Sequence, residues 1–154
     1  MVFSIAHHFF HDRSLAEDVA QDVFLRLHQS LRVIRSPAHL VQWLRQVTSR
    51  RCIDLARRSP VHAPLSLEEA PEPIADDDSM DPLLARKLRR VVAALPEDAR
   101  MVVILRYQED LSLVEIAEIL EIPINTVKSR LQRSLAHLRE RLDNVEEISR
   151  HAGS

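Results

Sequence analysis

The chain has 154 residues, of which 45% are hydrophobic and 29% charged, with a net charge of −2, eight prolines, one glycine and one cysteine. This composition is typical of a globular protein rather than a disordered one, and the near absence of glycine favours an all-α fold over a sheet. A single cysteine excludes an internal disulfide. The sequence predicts no membrane-spanning run, signal peptide, cofactor or small-molecule substrate, so we expect a cytoplasmic protein that is not an enzyme.

The charges fall in blocks along the chain. Residues 1–58 carry nine basic and five acidic side chains, whereas residues 59–82 carry seven acids and no base. Because four prolines also fall within residues 59–81, we predict a flexible acidic linker over 59–81 that joins two small helical domains, which need not touch. The second domain is expected at 82–142, followed by a tail at 143–154.

Three helices are predicted in the first domain. The first covers residues 2–11. Ser14 and Glu17 have the spacing of a capping box, which begins a second helix that ends near residue 30. A Ser-Pro pair predicts the start of a third helix over 36–58, since serine caps the helix and proline fits its first position.

The second domain shows the same kinds of helix signal. An Asp-Pro pair at 81–82 predicts one helix start, and Pro96 predicts the next. Ser112 and Glu115 form a second capping box at the start of a short amphipathic helix. Four helices are therefore expected here, the last of which fades after about Leu142.

The break at Pro123 separates the short helix from a basic final helix. Two such helices joined by a short turn form a helix-turn-helix, with Asn125 or Thr126 as the cap of the second. Opposite its leucine stripe, the final helix carries small, amide and basic side chains, which can read base edges in a major groove. The candidate DNA-reading residues are Thr126, Lys128, Ser129, Arg130, Gln132 and Arg133. The alternative is a solvated helical hairpin whose charged face has no role.

The run "ALPEDARMVVILRYQEDLSLVEIAEILEIPINTVKSRLQRSLAHLRERL" at 94–142 resembles the fourth domain of bacterial extracytoplasmic-function (ECF) sigma factors. The stretches "SLAEDVAQDVFLRLHQS" and "WLRQVTSRRCIDLARR" resemble parts of the second domain of the same family. The resemblance implies an all-α protein that binds core RNA polymerase and promoter DNA and is controlled by an anti-sigma factor. It also implies that the helix-turn-helix reads the −35 element.

The resemblance assigns polymerase docking to the second helix. Its candidate residues are Asp18, Gln21, Asp22 and Leu25. Here an apolar side chain lies within an acidic and amide face, as expected for a surface that binds a basic partner helix. The alternative is a solvated face with one stray leucine, which is common on ordinary proteins.

The resemblance assigns contact with the melted −10 strand to the third helix. Its candidate residues are Arg45, Ser49, Arg50 and Arg51, on a helix with five arginines and one acid. The family usually has an asparagine where this chain has Arg50. The base preference at the −10 element is therefore left open, whereas the arginine would still attract DNA phosphates. Trp43 could stack on a base, but a core position is favoured.

Two other kinds of function fit parts of the sequence. A stand-alone dimeric helix-turn-helix regulator would act without polymerase, and a helical interaction adaptor would not contact DNA. His7 and His11 lie one helical turn apart, but no carboxylate or cysteine completes a zinc site, so no metal is expected. The opening "MVFSIAHHFFH" looks like the last turns of the family's longer first helix, which predicts either a shortened start or a first domain that is less well packed than usual.

Overall fold

The computed structural model describes residues 1–58 and 81–152, and within these ranges the chain is all-α, without a strand. The helices are α1 (Val2–Phe10), α2 (Arg13–Ser30), α3 (Pro37–Arg58), α4 (Pro82–Ala93), α5 (Glu97–Tyr107), α6 (Leu113–Leu120) and α7 (Ile124–Ala152). The predicted linker lies outside the described residues, apart from its last residue. None of the helices in the described ranges is both long and apolar enough to cross a membrane.

Helices α1–α3 form the N-terminal module, and their starts follow from local hydrogen bonds. The predicted capping box at Ser14 is wrong, because Asp12 is the cap of α2 and its carboxylate accepts from the Leu15 amide at 3.1 Å. Helix α2 therefore begins slightly earlier than predicted. The start of α3 is confirmed, since the Ser36 hydroxyl accepts from the His39 amide at 3.1 Å.

Helices α4–α7 form the C-terminal module. The Asp81 carboxylate accepts from the Leu83 amide at 3.0 Å and caps α4, as predicted. The second capping box is also confirmed. The Ser112 hydroxyl accepts from the Glu115 amide at 3.2 Å, and the Glu115 carboxylate accepts from the Ser112 amide at 2.7 Å. This box lowers the pKa of Glu115, because its backbone and side-chain hydrogen bonds favour the carboxylate.

The turn between α6 and α7 differs from its prediction. Helix α7 begins at residue 124, so Asn125 and Thr126 lie in its first turn and neither caps it. The Pro123 carbonyl accepts from the Thr126 amide at 3.0 Å instead. The left-handed residue of the turn is Glu121, with φ of 55°. Helix α7 also continues to Ala152, well past the predicted end.

The two modules pack against each other around one continuous core. Helix α1 contacts α5, and α3 contacts both α5 and α6. Phe9 and Cys52 from the N-terminal module share this core with Met101, Leu105 and Ile116 from the C-terminal module. The acidic linker would allow the modules to stay apart, but burial of apolar surface favours the packed arrangement.

Candidate nucleic-acid interface

The predicted DNA-reading side of α7, which lies opposite its leucine stripe, points away from the core. We call it the reading face. On the leucine stripe, Val127 is fully buried and Leu138 nearly so. On the opposite side, Lys128, Gln132 and Arg133 are exposed. Three basic or amide side chains are therefore accessible to a duplex, as the hypothesis of a reading helix requires.

The other candidates on α7 are less accessible. Thr126, Ser129 and Arg130 are half-buried. One guanidinium nitrogen of Arg130 lies 3.8 Å from a carboxylate oxygen of Asp98, near the start of α5. Arg130 is therefore held towards α5 and is less available to DNA than Arg133.

Three arginines on α3 contact the C-terminal module: Arg45, Arg50 and Arg57. We call these three side chains the arginine face of α3. Arg45 Nε is 3.9 Å from a carboxylate oxygen of Glu109. Arg50 forms an ion pair with Glu121, and Gln46 Nε2 donates to the same carboxylate at 2.9 Å. Two of the predicted −10 arginines therefore already pair with acids.

A third acid of the C-terminal module, Asp98, pairs with the last arginine of this face. Arg57 Nη2 donates to both carboxylate oxygens of Asp98 at 2.8 Å. Since Asp98 also lies near Arg130, one carboxylate sits between the predicted −10 helix and the predicted −35 helix. Sequence patterns alone did not indicate this junction, because its three members come from three different helices.

The remaining −10 candidates are buried or engaged. Ser49 is fully buried, and its hydroxyl has no hydrogen-bond partner among the described residues. Arg51 Nε lies 3.0 Å from a carboxylate oxygen of Asp22. Within the same ranges, Nε of Arg45 and Nε of Arg51 are buried without a geometrically acceptable hydrogen bond. Unmet hydrogen-bonding groups of this kind cost free energy when buried.

The candidate docking surface on α2 is mostly exposed. Asp18 and Gln21 are exposed, and Leu25 keeps 65% of its surface. Asp22 differs, because it is half-buried and also pairs with Arg26 at 3.1 Å. The carboxylate of Asp22 therefore belongs to the α2–α3 contact as much as to the docking surface.

Sequence reasoning missed Phe24, which is 52% exposed beside Leu25. The two side chains border a shallow apolar groove between α1 and α2 that also includes Phe3 and Ala20. The signal was present in the sequence, because Phe24 falls outside the inward stripe of α2. An exposed aromatic and an exposed leucine together form a stronger docking surface than one leucine alone.

Arg100 is a further residue that sequence reasoning missed. Its guanidinium donates to the Phe9 carbonyl at 3.2 Å and to the Leu95 carbonyl at 3.1 Å, and it lies 4.6 Å from the centre of the Phe9 ring. Burial lowers the pKa of Arg100. Arg100 therefore joins the end of α1 to α5, across the boundary between the modules.

Burial shifts two other titratable groups near this boundary. It lowers the pKa of His11 to about 4, helped by His7 and by Arg89 and Arg100 of the C-terminal module. It also raises the pKa of Cys52 to about 12. In the described part of the chain, no three histidine, cysteine or acidic side chains are grouped to hold a metal ion. Trp43 packs on the core, which confirms the favoured core position.

Comparison with known families matches both modules. A model of sigma-70 region 2 matches residues 1–59, and a model of sigma-70 region 4 matches residues 85–138. The ECF RNA polymerase sigma factor SigW of Bacillus subtilis is 31% identical over 143 residues, which cover 84% of this chain and 76% of that protein.

Other relatives extend the comparison. The ECF RNA polymerase sigma-E factor of Escherichia coli is 30% identical over 142 residues, which cover 82% of this chain and 71% of that protein. A Xanthomonas campestris protein named "Probable RNA polymerase sigma factor RfaY" is 33% identical over 140 residues, but this chain spans only 35% of its length.

A solved structure shows the same fold over both modules. It is the sigma factor RpoE of Bartonella quintana in complex with the anti-sigma factor NepR. It has a TM-score of 0.70 and 21% identity, and the match covers 92% of this chain and 89% of that one. The two family models lie in the expected order, and the relatives match over most of the chain. The chain belongs to the ECF family of RNA polymerase sigma factors.

Proposed function

We propose that the chain binds core RNA polymerase and directs it to a restricted set of promoters. The observation that carries this proposal is the outward position of the reading face of α7, with Lys128, Gln132 and Arg133 exposed. A helix-turn-helix needs this face free, because its second helix enters the major groove. A reading helix buried in the molecule would have contradicted the proposal.

Docking on polymerase uses the exposed face of α2. Asp18 and Gln21 supply polar contacts, and Leu25 with Phe24 supplies the apolar centre. An apolar patch with a polar rim is the usual anatomy of a protein interface. Asp22 contributes at the edge of this surface, where it also orients Arg51 through their ion pair.

The two modules read different forms of promoter DNA. The module over 1–58 holds the melted −10 strand through α3, and the module over 82–142 reads the −35 duplex through α7. The chain supplies recognition while polymerase supplies catalysis, so the chain itself is not an enzyme. Both contacts belong to one tethered chain, so the first raises the effective concentration of the second.

An anti-sigma factor is the expected regulatory partner. The proposal is supported by the structural neighbour from Bartonella quintana, whose crystal structure includes an anti-sigma factor. The exposed apolar groove between α1 and α2 is a surface that such a partner could cover, in competition with polymerase. The place of action is the cytoplasm, where promoter DNA and polymerase are found.

Run-off transcription tests the proposal. Purified core polymerase is mixed with a library of promoter fragments, with and without the chain. We expect transcripts from a small subset of promoters only when the chain is added. Leu25→Asp should abolish these transcripts. The control is Leu31→Asp, because Leu31 is also an exposed leucine but lies at the end of α2.

Three outcomes would contradict the proposal. No promoter-specific transcript with the wild-type chain would exclude a sigma factor. Binding to symmetric half-sites without polymerase would favour the stand-alone regulator. Absence of any DNA contact would favour the helical adaptor.

A further inference from the structure

A cleft of about 490 Å³ lies between the start of α5 and the middle of α7. All the residues that line it belong to the C-terminal module. Its volume falls within the range of small-molecule sites, about 300–1,000 Å³. The candidate contacts with DNA and polymerase do not use its floor, so the cleft has no role in the function proposed so far.

One wall of the cleft is apolar. Leu95 lines it with only 5% of its surface exposed, and Ala94, Pro96 and Ala99 lie beside it. Because alanine ends at Cβ, these positions leave room that longer side chains would fill. Such a wall accommodates the hydrocarbon body of a ligand, since burial of apolar surface is favourable.

The opposite wall is a polar side of α7. Arg130, Arg133 and His137 are spaced i, i+3 and i+7, so they follow one side of the helix over about 10 Å. Arg133 is exposed at the rim, whereas Ser134 keeps 2% of its surface. In the part of the chain that the structure describes, neither Arg133 nor His137 forms a hydrogen bond or an ion pair through its side chain. These groups are therefore available to a ligand.

The charge of the cleft is positive despite one acid in its lining. Asp98 is satisfied from outside the cleft, because Arg57 Nη2 donates to both of its carboxylate oxygens at 2.8 Å. Arg130 lies farther from the same carboxylate, at 3.8 Å. The charge of Arg133 is thus left without a counterion among the described residues, which favours an anionic ligand.

We propose that this cleft binds a small organic acid, whose carboxylate pairs with Arg133 and Arg130 and whose hydrocarbon body packs on Leu95 and Ala99. The apolar wall distinguishes this ligand from a DNA phosphate, which has no hydrocarbon body to bury. Since Arg133 is also a candidate base-reading residue, the bound acid competes with −35 duplex. The competition rests on the proposed function, whereas binding of the acid does not.

Two matched probes test whether the cleft selects an anion. Naphthoate and naphthamide share the same rings, but only naphthoate is charged. We expect naphthoate to shift the amide resonances of Ala94, Ala99 and Ser134 in the isotope-labelled full chain. It should bind about tenfold more tightly than naphthamide, because a charge-assisted hydrogen bond is gained. Equal affinities would overturn the proposal, and so would shifts confined to Phe24 and Leu25 in the other groove.

Ala99→Leu fills the cleft without changing its charges. We expect naphthoate to bind at least about tenfold more weakly, because the longer side chain takes the place of the rings. The matched control is Ala85→Leu, at a half-buried alanine of α4 that does not line the cleft. It should change naphthoate affinity by less than about twofold. Unchanged affinity in a folded Ala99→Leu chain would refute the site.

Arg133→Met tests the ion pair at an exposed position, where folding does not depend on the side chain. Methionine keeps much of the length of arginine but carries no charge. We expect naphthoate affinity to fall about tenfold and naphthamide affinity to stay within about twofold. An equal loss for both probes, or no loss for either, would contradict recognition of a carboxylate by Arg133.

Competition is measured with a labelled −35 duplex from a promoter selected by run-off transcription, followed by anisotropy. At naphthoate concentrations about ten times its Kd, exclusive binding lowers the affinity for duplex about tenfold. Sodium chloride at the same ionic strength is the control, because salt alone weakens DNA binding. Ala99→Leu should bind duplex like the wild-type chain but lose the response to naphthoate.

The outcomes of this last experiment separate the two proposals. If naphthoate shifts the cleft resonances but lowers duplex affinity no more than salt does, the competition is overturned. If the wild-type chain binds no −35 duplex at all while the cleft resonances still shift, the proposed function is refuted and the acid site stands.

Discussion

The arginine face of α3 and the reading face of α7 use similar side chains but lie in opposite surroundings. Both offer arginines and a serine on a long helix. On α3, Arg45 and Arg50 pair with acids of the other module, and Ser49 is fully buried. On α7, Gln132 and Arg133 face outward and are exposed.

Side chains suited to bind nucleic acid do not by themselves make a helix accessible. A duplex can approach α7 directly. On α3, Arg45 and Arg50 are already paired with carboxylates, and apolar packing between the modules helps to hold these carboxylates in place. One chain therefore carries one polar face that is free and one whose arginines are already paired with acids.

The largest expected effect is a difference in reactivity between two thiols, one buried on α3 and one introduced on the exposed face of α7. Burial raises the pKa of Cys52 on α3 to about 12, from an ordinary value of 9.0. At pH 8 this shift alone reduces its thiolate fraction roughly a thousandfold. In a Gln132→Cys variant, we expect one thiol per chain to react with Ellman's reagent within minutes and Cys52 to react far more slowly. Rapid reaction of two thiols would show that Cys52 is not buried in the core that the modules share.

Loss of Arg100 should weaken the packing between the two modules. Its guanidinium binds the Phe9 carbonyl and lies over the Phe9 ring. Hydrogen bonds from a charged group are worth about 1.5–3 kcal/mol, and a buried carbonyl would lose its partner. We expect Arg100→Ala to lower the free energy of unfolding by about 2–4 kcal/mol, measured with urea.

The control for this variant is Arg90→Ala, at an exposed position on α4. It should change the free energy of unfolding by less than about 0.5 kcal/mol. Arg100→Ala should leave −35 duplex binding intact, because α7 does not depend on Arg100. A stability loss as small as that of the control would mean that Arg100 does not join the modules.

Local signals explain why much of the fold was predictable. The caps at Ser36 and Ser112 depend on residues within one helical turn, and both are confirmed. The contact between Gln46 and Glu121 joins positions 75 apart, which no local pattern can predict. The sequence thus indicated which side chains belong to each face, but it did not indicate that one face is covered. The left-handed Glu121 was missed for a related reason, since it is compensated by contacts from another module.

Base discrimination by the exposed face of α7 can be tested with a single substitution. Arg133 is exposed on the reading face, where a guanidinium can donate two hydrogen bonds to one guanine. We expect Arg133→Ala to reduce discrimination at one −35 base pair by about 1–3 kcal/mol, measured by competition between duplexes. Lys128→Ala is the comparison variant, because a phosphate contact should weaken all sequences equally. A uniform loss with Arg133→Ala would make it a phosphate contact too.

Acid should destabilise the contact between the end of α1 and α5 by a smaller amount. His11 lies beside His7, His8, Arg89 and Arg100, and burial with these charges lowers its pKa from 6.5 to about 4. The folded chain therefore favours neutral His11, and the unfolded chain binds the proton more readily. Stability due to this group is complete above pH 6.5 and is lost as the pH falls towards 4.

The His11→Asn variant isolates this effect from the titration of carboxylates. Asparagine tolerates the left-handed conformation that His11 adopts, with φ of 50°, so the end of α1 should be kept. We expect the wild-type chain to lose about 1–2 kcal/mol more than the variant between pH 7 and pH 4.5, measured by urea denaturation at each pH. His28→Asn, at an exposed position on α2, should behave like the wild-type chain. Parallel losses in all three proteins would mean that the proton enters elsewhere, and the α1–α5 contact would then be insensitive to acid.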